Sequence, residues 1–314
     1  MRCLSIILIY VLCSVKGYAE GTWTETTGLP IDLWAAPQAV GNGKIYYIGG
    51  QSDLSGTNFL TWDGSGSWTV KTKPPYSVYI GAGGFVSNKF CVAGGCWDSF
   101  QGNTNFQIWD GTNWTWGPKL LEGRKVASGV TWSNRLYLIG GFYTDNNATT
   151  NVQYWDGALW NSGPKLPYAI GMNAGTVFRN DICIIGSDGT SGTNFLILQG
   201  GTNWISGPTP VYNSGGWSAL VTNNQDRLLL LGNNNGKVYS YDGTNWTQTN
   251  NTLYSHNEMY GAVNYSGNVF AIGGHITNVE YLATPVTNKN IYLYGVKINK
   301  LYGVPINKIY GRGQ

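Results

Sequence analysis

The side chains in this sequence that are best suited to binding chemistry occupy one recurrent position, fifteen residues before the first glycine of a repeated glycine motif. The six occupants are Trp34, Tyr79, Lys125, Gly171, Trp217 and Glu258. No structural rule requires an aromatic or a charged residue there. Flat amphipathic rings and a few charges suit contact with a sugar ring or a protein surface. The position is therefore a candidate binding position.

Further chemistry-bearing residues lie next to this position or directly after the glycine motifs. Loops that vary on a rigid frame commonly carry binding residues. The complete candidate binding set is Trp34, Tyr79, Arg124, Lys125, Trp217, His256, Glu258, Trp97 and Tyr143. A plainer interpretation stays open for Trp34 and Trp217, in which both rings only pack at a channel mouth.

Catalysis is supported by fewer residues than binding. Glu258 or Glu122, together with Arg124 and His256, could supply an acid, a base and a carboxylate clamp, although their spacing does not single out that task. The sequence has two histidines, His256 and His275, both near the end of the repeated region. Two histidines without further ligands favour a role in loops, so no metal and no cofactor are expected.

These residues are positioned by a segment that the chain repeats six times, a short apolar strand running into glycine. The copies are 45–50, 90–95, 136–141, 182–186, 228–232 and 269–274, with a period of about 46 residues and a shorter last step. Repeats of this length indicate units that must bury their apolar faces against their neighbours.

Each repeat continues with an aromatic-Asp-Gly turn and a later tryptophan, as in Trp62-Asp63-Gly64 followed by Trp68. Asp-Gly supplies the positive φ that a tight hairpin needs. The paired aromatics are expected to pack between adjacent sheets. The fourth repeat departs from the turn with Leu198-Gln199-Gly200, and repeats four and five lack the second glycine.

Glycine pairs after an apolar strand, an aromatic-Asp turn and a spaced tryptophan resemble the kelch repeat over residues 22 to about 283. The resemblance implies an all-β protein, a six-bladed β-propeller of four-stranded antiparallel blades. Kelch-like propellers also include bacterial periplasmic proteins that catalyse sialic-acid mutarotation. The sixth repeat lacks its last strand, and Gly21-Thr22-Trp23-Thr24 matches that strand, so an N-terminal strand is expected to close the ring.

The domain organisation follows from three differences in composition. Residues 1–19 combine Arg2, an apolar run at 4–15 and Gly17-Tyr18-Ala19, which is a signal-peptide pattern too short to span a bilayer. Residues 20–283 form the propeller, with 12 Lys/Arg against 16 Asp/Glu, a balance of −4. Residues 284–314 form a basic low-complexity tail with an eight-residue repeat and five Lys/Arg.

The predicted export of the protein restricts its partners to extracellular molecules. The sequence predicts a secreted, extracellular protein without stable membrane insertion. We expect it to be a monomer. We expect no binding of nucleic acid, because the protein is exported and its propeller is acidic. Five N-x-[ST] acceptors agree with export, at Asn113, Asn147, Asn245, Asn250 and Asn264.

The favoured function is a binding module that recognises an extracellular protein or glycan through one loop face of the propeller. The alternative is a small carbohydrate-processing enzyme, similar to a sialic-acid mutarotase, that uses the acidic, Arg and His members of the same face.

Overall fold

Short runs of β-branched and aromatic residues between glycine-rich turns form strands throughout the chain, as their β-propensity favours. The computed structural model describes residues 21–50, 56–96, 101–143, 147–187, 193–210, 218–232, 235–257, 261–283, 291–293, 296–298, 300–301 and 304–305. The chain separates into two units, residues 1–284 and 285–314. The predicted signal peptide lies outside the described residues. None of the described residues forms a helix long and apolar enough to cross a bilayer.

Six four-stranded antiparallel sheets make up the first unit, which is a six-bladed β-propeller. The first strands of the blades contact one another in a closed circle and are the innermost strands. The first three blades contain β2 (Gln38–Gly41), β3 (Lys44–Ile48), β4 (Phe59–Trp62) and β5 (Thr69–Val70); β6 (Ala82–Val86), β7 (Lys89–Ala93), β8 (Phe106–Trp109) and β9 (Trp114–Trp116); and β10 (Ser128–Trp132), β11 (Arg135–Ile139), β12 (Val152–Trp155) and β13 (Trp160–Ser162).

The N-terminal strand completes the last blade, which confirms the expected closure. Strand β1 (Trp23–Thr26) pairs antiparallel with the third strand of blade 6, with Trp23 opposite Leu282. The last three blades contain β14 (Met172–Phe178), β15 (Asp181–Ser187), β16 (Asn194–Gln199) and β17 (Asn203–Ser206); β18 (Ala219–Asn223), β19 (Arg227–Leu231), β20 (Val238–Tyr241) and β21 (Trp246–Gln248); and β22 (Gly261–Tyr265), β23 (Asn268–Ile272), β24 (Val279–Leu282) and β1.

The second unit contains two short antiparallel hairpins. Strand β25 (Ile291–Leu293) pairs with β26 (Val296–Ile298), and β27 (Lys300–Leu301) pairs with β28 (Val304–Pro305). The described residues of the tail thus include two strand pairs, and the copy of the repeat at 306–311 lies outside them.

The aromatic-Asp-Gly turns have the geometry that the sequence predicts. The glycines at 64, 111, 157 and 243 all have positive φ, between 89° and 107°. The carboxylate of Asp110 accepts hydrogen bonds from the backbone N–H groups of Asn113 and Thr112, both at 2.7 Å. These bonds hold the pKa of Asp110 below its usual value. The turn is thus tied to its own first side chain.

The glycine pairs let the chain leave the second strand of a blade in close contact with the next linker. Gly49 and Gly50 have φ of 70° and 74°, and a Cβ on Gly49 would lie within 2.1 Å of the carbonyl oxygen of Val78. In blade 4, Ser187 replaces the second glycine, and β15 continues extended through Gly186. A non-glycine residue there disfavours the second positive φ.

A circle of six indole hydrogen bonds links each blade to the one before it. The tryptophan of each outermost strand donates its N–H to a backbone carbonyl located four residues after the corresponding tryptophan of the preceding blade. The pairs are Trp23 to Asn250 (3.3 Å), Trp68 to Thr27 (3.1 Å), Trp114 to Thr72 (2.9 Å), Trp160 to Pro118 (3.1 Å), Trp204 to Pro164 (2.9 Å) and Trp246 to Pro208 (2.8 Å). Trp23 and Thr27 continue the circle through the N-terminal strand.

The paired aromatics fill the gaps between blades, as expected. Trp62 and Trp68 stack at 5.9 Å and belong to one buried cluster with Tyr265 and Phe270 of blade 6. The interface between blades 5 and 6 differs, because Leu282 of blade 6 has the strand register that Trp62 has in blade 1. Its cluster contains aliphatic side chains and one aromatic ring, that of Trp23. A cavity of about 290 Å³ lies there, lined in part by Leu282 and Gly21.

We predict that Leu282→Trp stabilises the protein by about 1 kcal/mol, because the larger ring fills this cavity. Chemical denaturation of the variant measures the change. The matched control is Leu198→Trp, at the same register in blade 4. The cluster around Leu198 already includes Trp132, Tyr137, Tyr154 and Trp204, so overpacking is expected to destabilise that variant by about 1–3 kcal/mol. Equal effects of the two substitutions would contradict this account of the interface.

Candidate functional site

The strands alternate in direction, so the loops of the propeller divide between two faces. The linker face carries the segments between blades and the segments that follow each second strand. The hairpin face carries the turns between first and second strands and between third and fourth strands. Of the predicted binding residues, Trp34, Tyr79, Arg124, Lys125, Tyr143 and His256 are described and belong to linker-face segments. Trp97, Trp217 and Glu258 lie outside the described residues.

An aromatic cluster forms where the linkers of blades 1 and 2 meet the last glycine pair. The ring of Trp34 stacks on His275 with centroids 4.3 Å apart and meets Tyr79 edge-on at 5.4 Å. Tyr79 is buried, Trp34 is half-buried and His275 is exposed. Tyr79 belongs to a buried apolar cluster that also includes Ile80. Trp34 and Phe142 pack against this cluster. The face therefore presents partly exposed rings on an apolar floor.

The linker backbones that hold this cluster are bonded to one another and are strained. The N–H of Ile80 donates to the carbonyl of Ala35, and that of Val126 donates to the carbonyl of Ile80, both at 2.9 Å. All three residues have positive φ, between 50° and 57°. This conformation is unfavourable for β-branched residues such as Ile and Val, and such strain persists only where the surroundings impose it. The linkers thus form a rigid, cross-bonded layer.

A polar network lies beside this layer, on blade 3 and its linker. Arg124 forms an ion pair with Glu122 and places its guanidinium 4.3 Å above the ring of Tyr143. The side-chain amide of Asn151 donates to Glu122 (2.9 Å) and to the Tyr143 hydroxyl (2.8 Å). Thr149 also donates to Tyr143, at 2.8 Å. Three of these side chains, those of Glu122, Asn151 and Thr149, do not belong to the predicted binding set.

The exposure of each side chain in this network limits its possible contacts with a ligand. Arg124 is 1% exposed, and its Nη1 donates to the carbonyl of Gly123, so it is not placed to clamp the carboxylate of a ligand. Glu122 is 43% exposed. Burial raises the pKa of Glu122, but hydrogen bonds from Asn151 and Arg124 and the charge of Arg124 outweigh burial and lower the pKa. Glu122 is therefore an oriented, ionised hydrogen-bond acceptor at neutral pH.

His256 lies in the interior rather than on the linker surface. It is 1% exposed, its Nδ1 is 2.6 Å from the carbonyl oxygen of Gly273, and its Nε2 is 2.8 Å from the carboxylate of Glu280, which is fully buried. A carbonyl and a carboxylate both only accept hydrogen bonds. Both ring nitrogens of His256 are therefore occupied by partners within the protein.

The strand register of Glu280 explains the interior position of its partner His256. Two other blades have a glutamine at this register, Gln107 opposite Val92 and Gln153 opposite Leu138, whereas Glu280 is opposite Ala271. Gln107 bonds the backbone of Tyr76, and Gln153 bonds the backbones of Leu121 and Glu122. Glu280 accepts from Leu253 and Tyr254 in the same way. A side chain at this register therefore bonds the adjacent linker to its blade. In blade 6 the same side chain, Glu280, also contacts His256.

The remaining polar candidates offer little further chemistry. Lys125 is 8% exposed. Cys91, Cys96 and Cys183 are free, buried thiols whose pKa values burial raises to about 12, 11 and 12. Among the described residues, no group of three or more His, Cys, Asp and Glu side chains could hold a metal ion.

The five N-x-[ST] asparagines fall into two structural groups. Asn113, Asn147, Asn245 and Asn250 are exposed. Asn264 is half-buried, and its side-chain amide donates to the carbonyl of Thr222 (2.8 Å) and to Asn224 (3.1 Å). A glycan on Asn264 would replace one of the two amide hydrogens that make these bonds.

Several residues of the site escaped the sequence prediction, and their signals differ. Phe142 follows the third glycine pair directly, at the position that Cys96 and His275 occupy in other repeats, so its variability was a usable signal. Asn151 and Thr149 carried no signal, because asparagine and threonine are abundant throughout the chain. Glu280 was visible only as an acidic residue inside an apolar strand.

No protein-family model and no curated protein matches the sequence. Among solved structures, the chain is similar to that of YjhT, with a TM-score of 0.71 and 14% identity. The match covers 83% of this chain and 97% of that chain. At this identity the likeness supports the six-bladed β-propeller fold and carries no information on activity.

We predict that Glu280→Leu lowers the free energy of unfolding by about 3 kcal/mol, because it leaves the buried His256 and two backbone N–H groups without their acceptor. Glu280→Gln is expected to cost less than about 1 kcal/mol, since an amide serves the same role in Gln107 and Gln153. Urea denaturation measures both changes, with the exposed Glu25→Gln, opposite Glu280 on β1, as the control. A glutamine variant as unstable as the leucine variant would show that the negative charge itself is required.

Proposed function

We propose that this chain is a secreted, kelch-type binding module whose linker face holds an extracellular protein or glycan. One observation carries the proposal. Glu122, Tyr143 and Asn151 are held by mutual hydrogen bonds on the same face as the half-buried rings of Trp34 and Phe142. Pre-oriented polar groups beside flat aromatic surface make contacts at low entropic cost.

The rigidity of the linker layer supports this proposal. The cross-bonded backbones at Ala35, Ile80 and Val126 fix the aromatic cluster before any partner arrives. A preorganised site loses less conformational freedom on binding than a flexible one. The half-exposed carboxylate of Glu122 can accept hydrogen bonds from the hydroxyls of a sugar or the N–H groups of a protein.

Secretion and glycosylation belong to the same proposal and rest on the sequence. The signal-peptide pattern at residues 1–19 and the four exposed acceptors Asn113, Asn147, Asn245 and Asn250 support them. The repeated glycine pairs and aromatic-Asp turns support the kelch assignment. The protein is proposed to act as a monomer that is not inserted in a membrane and does not bind nucleic acid.

We predict that Trp34→Ala weakens partner binding by about 2 kcal/mol and that Glu122→Gln weakens it by about 1.5 kcal/mol. A glycan-array screen and a screen of extracellular proteins identify the partner, and titration of that partner measures the affinity. Trp116→Ala is the matched control, because Trp116 is a 54% exposed tryptophan on the outer strand β9 and does not belong to the cluster around Trp34 and Tyr79.

Thermal unfolding of each variant shows whether a loss of binding reflects a loss of fold. A chain that ends at residue 283 tests the tail separately. The proposal fails if binding survives Trp34→Ala and Glu122→Gln, if it disappears with the tail alone, or if the folded protein binds nothing in either screen.

A second proposed function is carbohydrate processing of the mutarotase type. The observation that favours it is the carboxylate of Glu122, which is ionised, oriented and half-exposed, although its lowered pKa makes it a weak general base. Two observations weaken it. Arg124 is buried beneath Tyr143, and both nitrogens of His256 are occupied, so neither is placed to clamp a carboxylate or to transfer a proton.

If the second function holds, the protein accelerates the interconversion of N-acetylneuraminate anomers, and Glu122→Gln slows it by about 100-fold or more. Proton NMR follows the anomer ratio after dissolution of the crystalline sugar. The Trp116→Ala variant again serves as the control. An interconversion rate equal to that in buffer would exclude this activity.

A further inference from the structure

The six innermost strands surround a central channel that the linker-face site does not use. The channel encloses about 540 Å³, within the range of about 300–1,000 Å³ typical of small-molecule sites. At its linker end the described residues Ala35 and Ile80 are 3% and 6% exposed, whereas Val40 at its other end is 36% exposed. Thr131 and Asn224 at that end are exposed as well. Over the described residues, the channel opens toward the hairpin face.

The channel wall is polar but carries no charge. None of the described residues that line it is ionisable. Its hydroxyl and amide side chains include Gln38, Thr131, Thr176, Asn173 and Asn264. Each innermost strand lies at the edge of its sheet, so backbone N–H and C=O groups also point toward the channel. The wall thus combines side chains engaged across blades, as Asn173 and Asn264 are, with further neutral donors and acceptors at the strand edges.

Two buried hydroxyls in this wall have no hydrogen-bond partner among the described residues. Ser128 and Ser218 are 4% and 8% exposed, and both line the channel. An unpaired buried hydroxyl costs free energy, and most such groups in native proteins are paired with protein, water or ligand. Other polar groups of the wall have hydrogen-bond partners. The hydroxyl of Thr131, for example, accepts from the N–H of Phe85 at 2.9 Å. Both hydroxyl oxygens are enclosed by protein, so each serine reaches a molecule in the channel after rotation about its Cα–Cβ bond.

We propose that the central channel is a binding site for a neutral, polyhydroxylated molecule of mono- to disaccharide size that enters from the hairpin face. A sugar of this size has hydroxyls that both donate and accept, as the serine hydroxyls and the strand edges require. A charged ligand would lose its hydration without gaining a counter-charge from the wall, which is strongly unfavourable. This site is separate from the linker face and does not rest on the function proposed for that face.

The test titrates the full chain with D-galactose, N-acetyl-D-glucosamine and lactose by calorimetry, with D-glucuronate as the charged comparator. We expect saturable binding of at least one neutral sugar and none of D-glucuronate. Val40→Trp at the channel mouth should weaken that binding at least tenfold. Val70→Trp is the matched control, because Val70 is 69% exposed on the outer strand β5, and it should leave sugar binding unchanged.

Ser128→Ala and Ser218→Ala give a second, independent readout. Each should weaken sugar binding about fivefold, the effect of one lost neutral hydrogen bond. Neither should lower the melting temperature of the unliganded protein, because the hydroxyl that is removed has no partner there. Glu122→Gln should leave channel binding unchanged, which separates this site from the linker face.

Three outcomes would overturn the proposal. The first is that none of the neutral sugars binds at millimolar concentration, which would mean that the channel holds water only. The second is that Val40→Trp and both serine variants bind as the unmodified chain does, which would place the sugar elsewhere. The third is that D-glucuronate binds more tightly than the neutral sugars, which would contradict an uncharged site.

Discussion

A circle of six indole hydrogen bonds joins every pair of neighbouring blades into one ring. Each outermost tryptophan reaches back to a carbonyl of the preceding linker, as Trp160 does to Pro118. A propeller blade cannot bury both faces alone, so its stability comes from its neighbours. Because Trp23 and Thr27 belong to this circle, the N-terminal strand is part of the ring and not an appendage. The circle also fixes where each linker begins, and hence where the linker-face residues lie.

Charged and polar side chains of the propeller interior serve mainly to hold linkers in place. Gln107, Gln153 and Glu280 occupy the same register in three blades and bond the backbone of the adjacent linker. Arg124 similarly supports Tyr143 from below. Once these groups are assigned to support, the partly exposed surface is left with Trp34, Phe142, Tyr143 and Glu122. That surface combines aromatic rings, with the exposed ring of His275 stacked on Trp34, and one oriented carboxylate, that of Glu122.

The two faces of the ring offer different chemistry for a physical reason. The linkers are long and variable, and they cross-bond into a layer of aromatic and charged side chains. The innermost strands approach one another closely, and glycines such as Gly83 and Gly129 make this approach possible, since a Cβ on Gly129 would lie 2.7 Å from the carbonyl oxygen of Gly83. This crowding selects small, uncharged residues for the channel wall. A charged aromatic face and a neutral channel therefore follow from one architecture.

The number of blades can be predicted from the repeats alone. So can the hairpin turns, the packing of aromatic pairs and the closure by Trp23, because these features repeat with the chain and depend on local backbone geometry. The sequence also placed Trp34, Tyr79 and Tyr143 on one face. The interior position of His256 is visible only in the folded chain, because its partner Glu280 is 24 residues away and meets it through strand pairing. The same holds for Arg124, since its burial depends on Tyr143 and Glu122 folding over it. Contacts between side chains brought together by strand register leave no periodic trace in a sequence, whereas the turns and strands that create the register do.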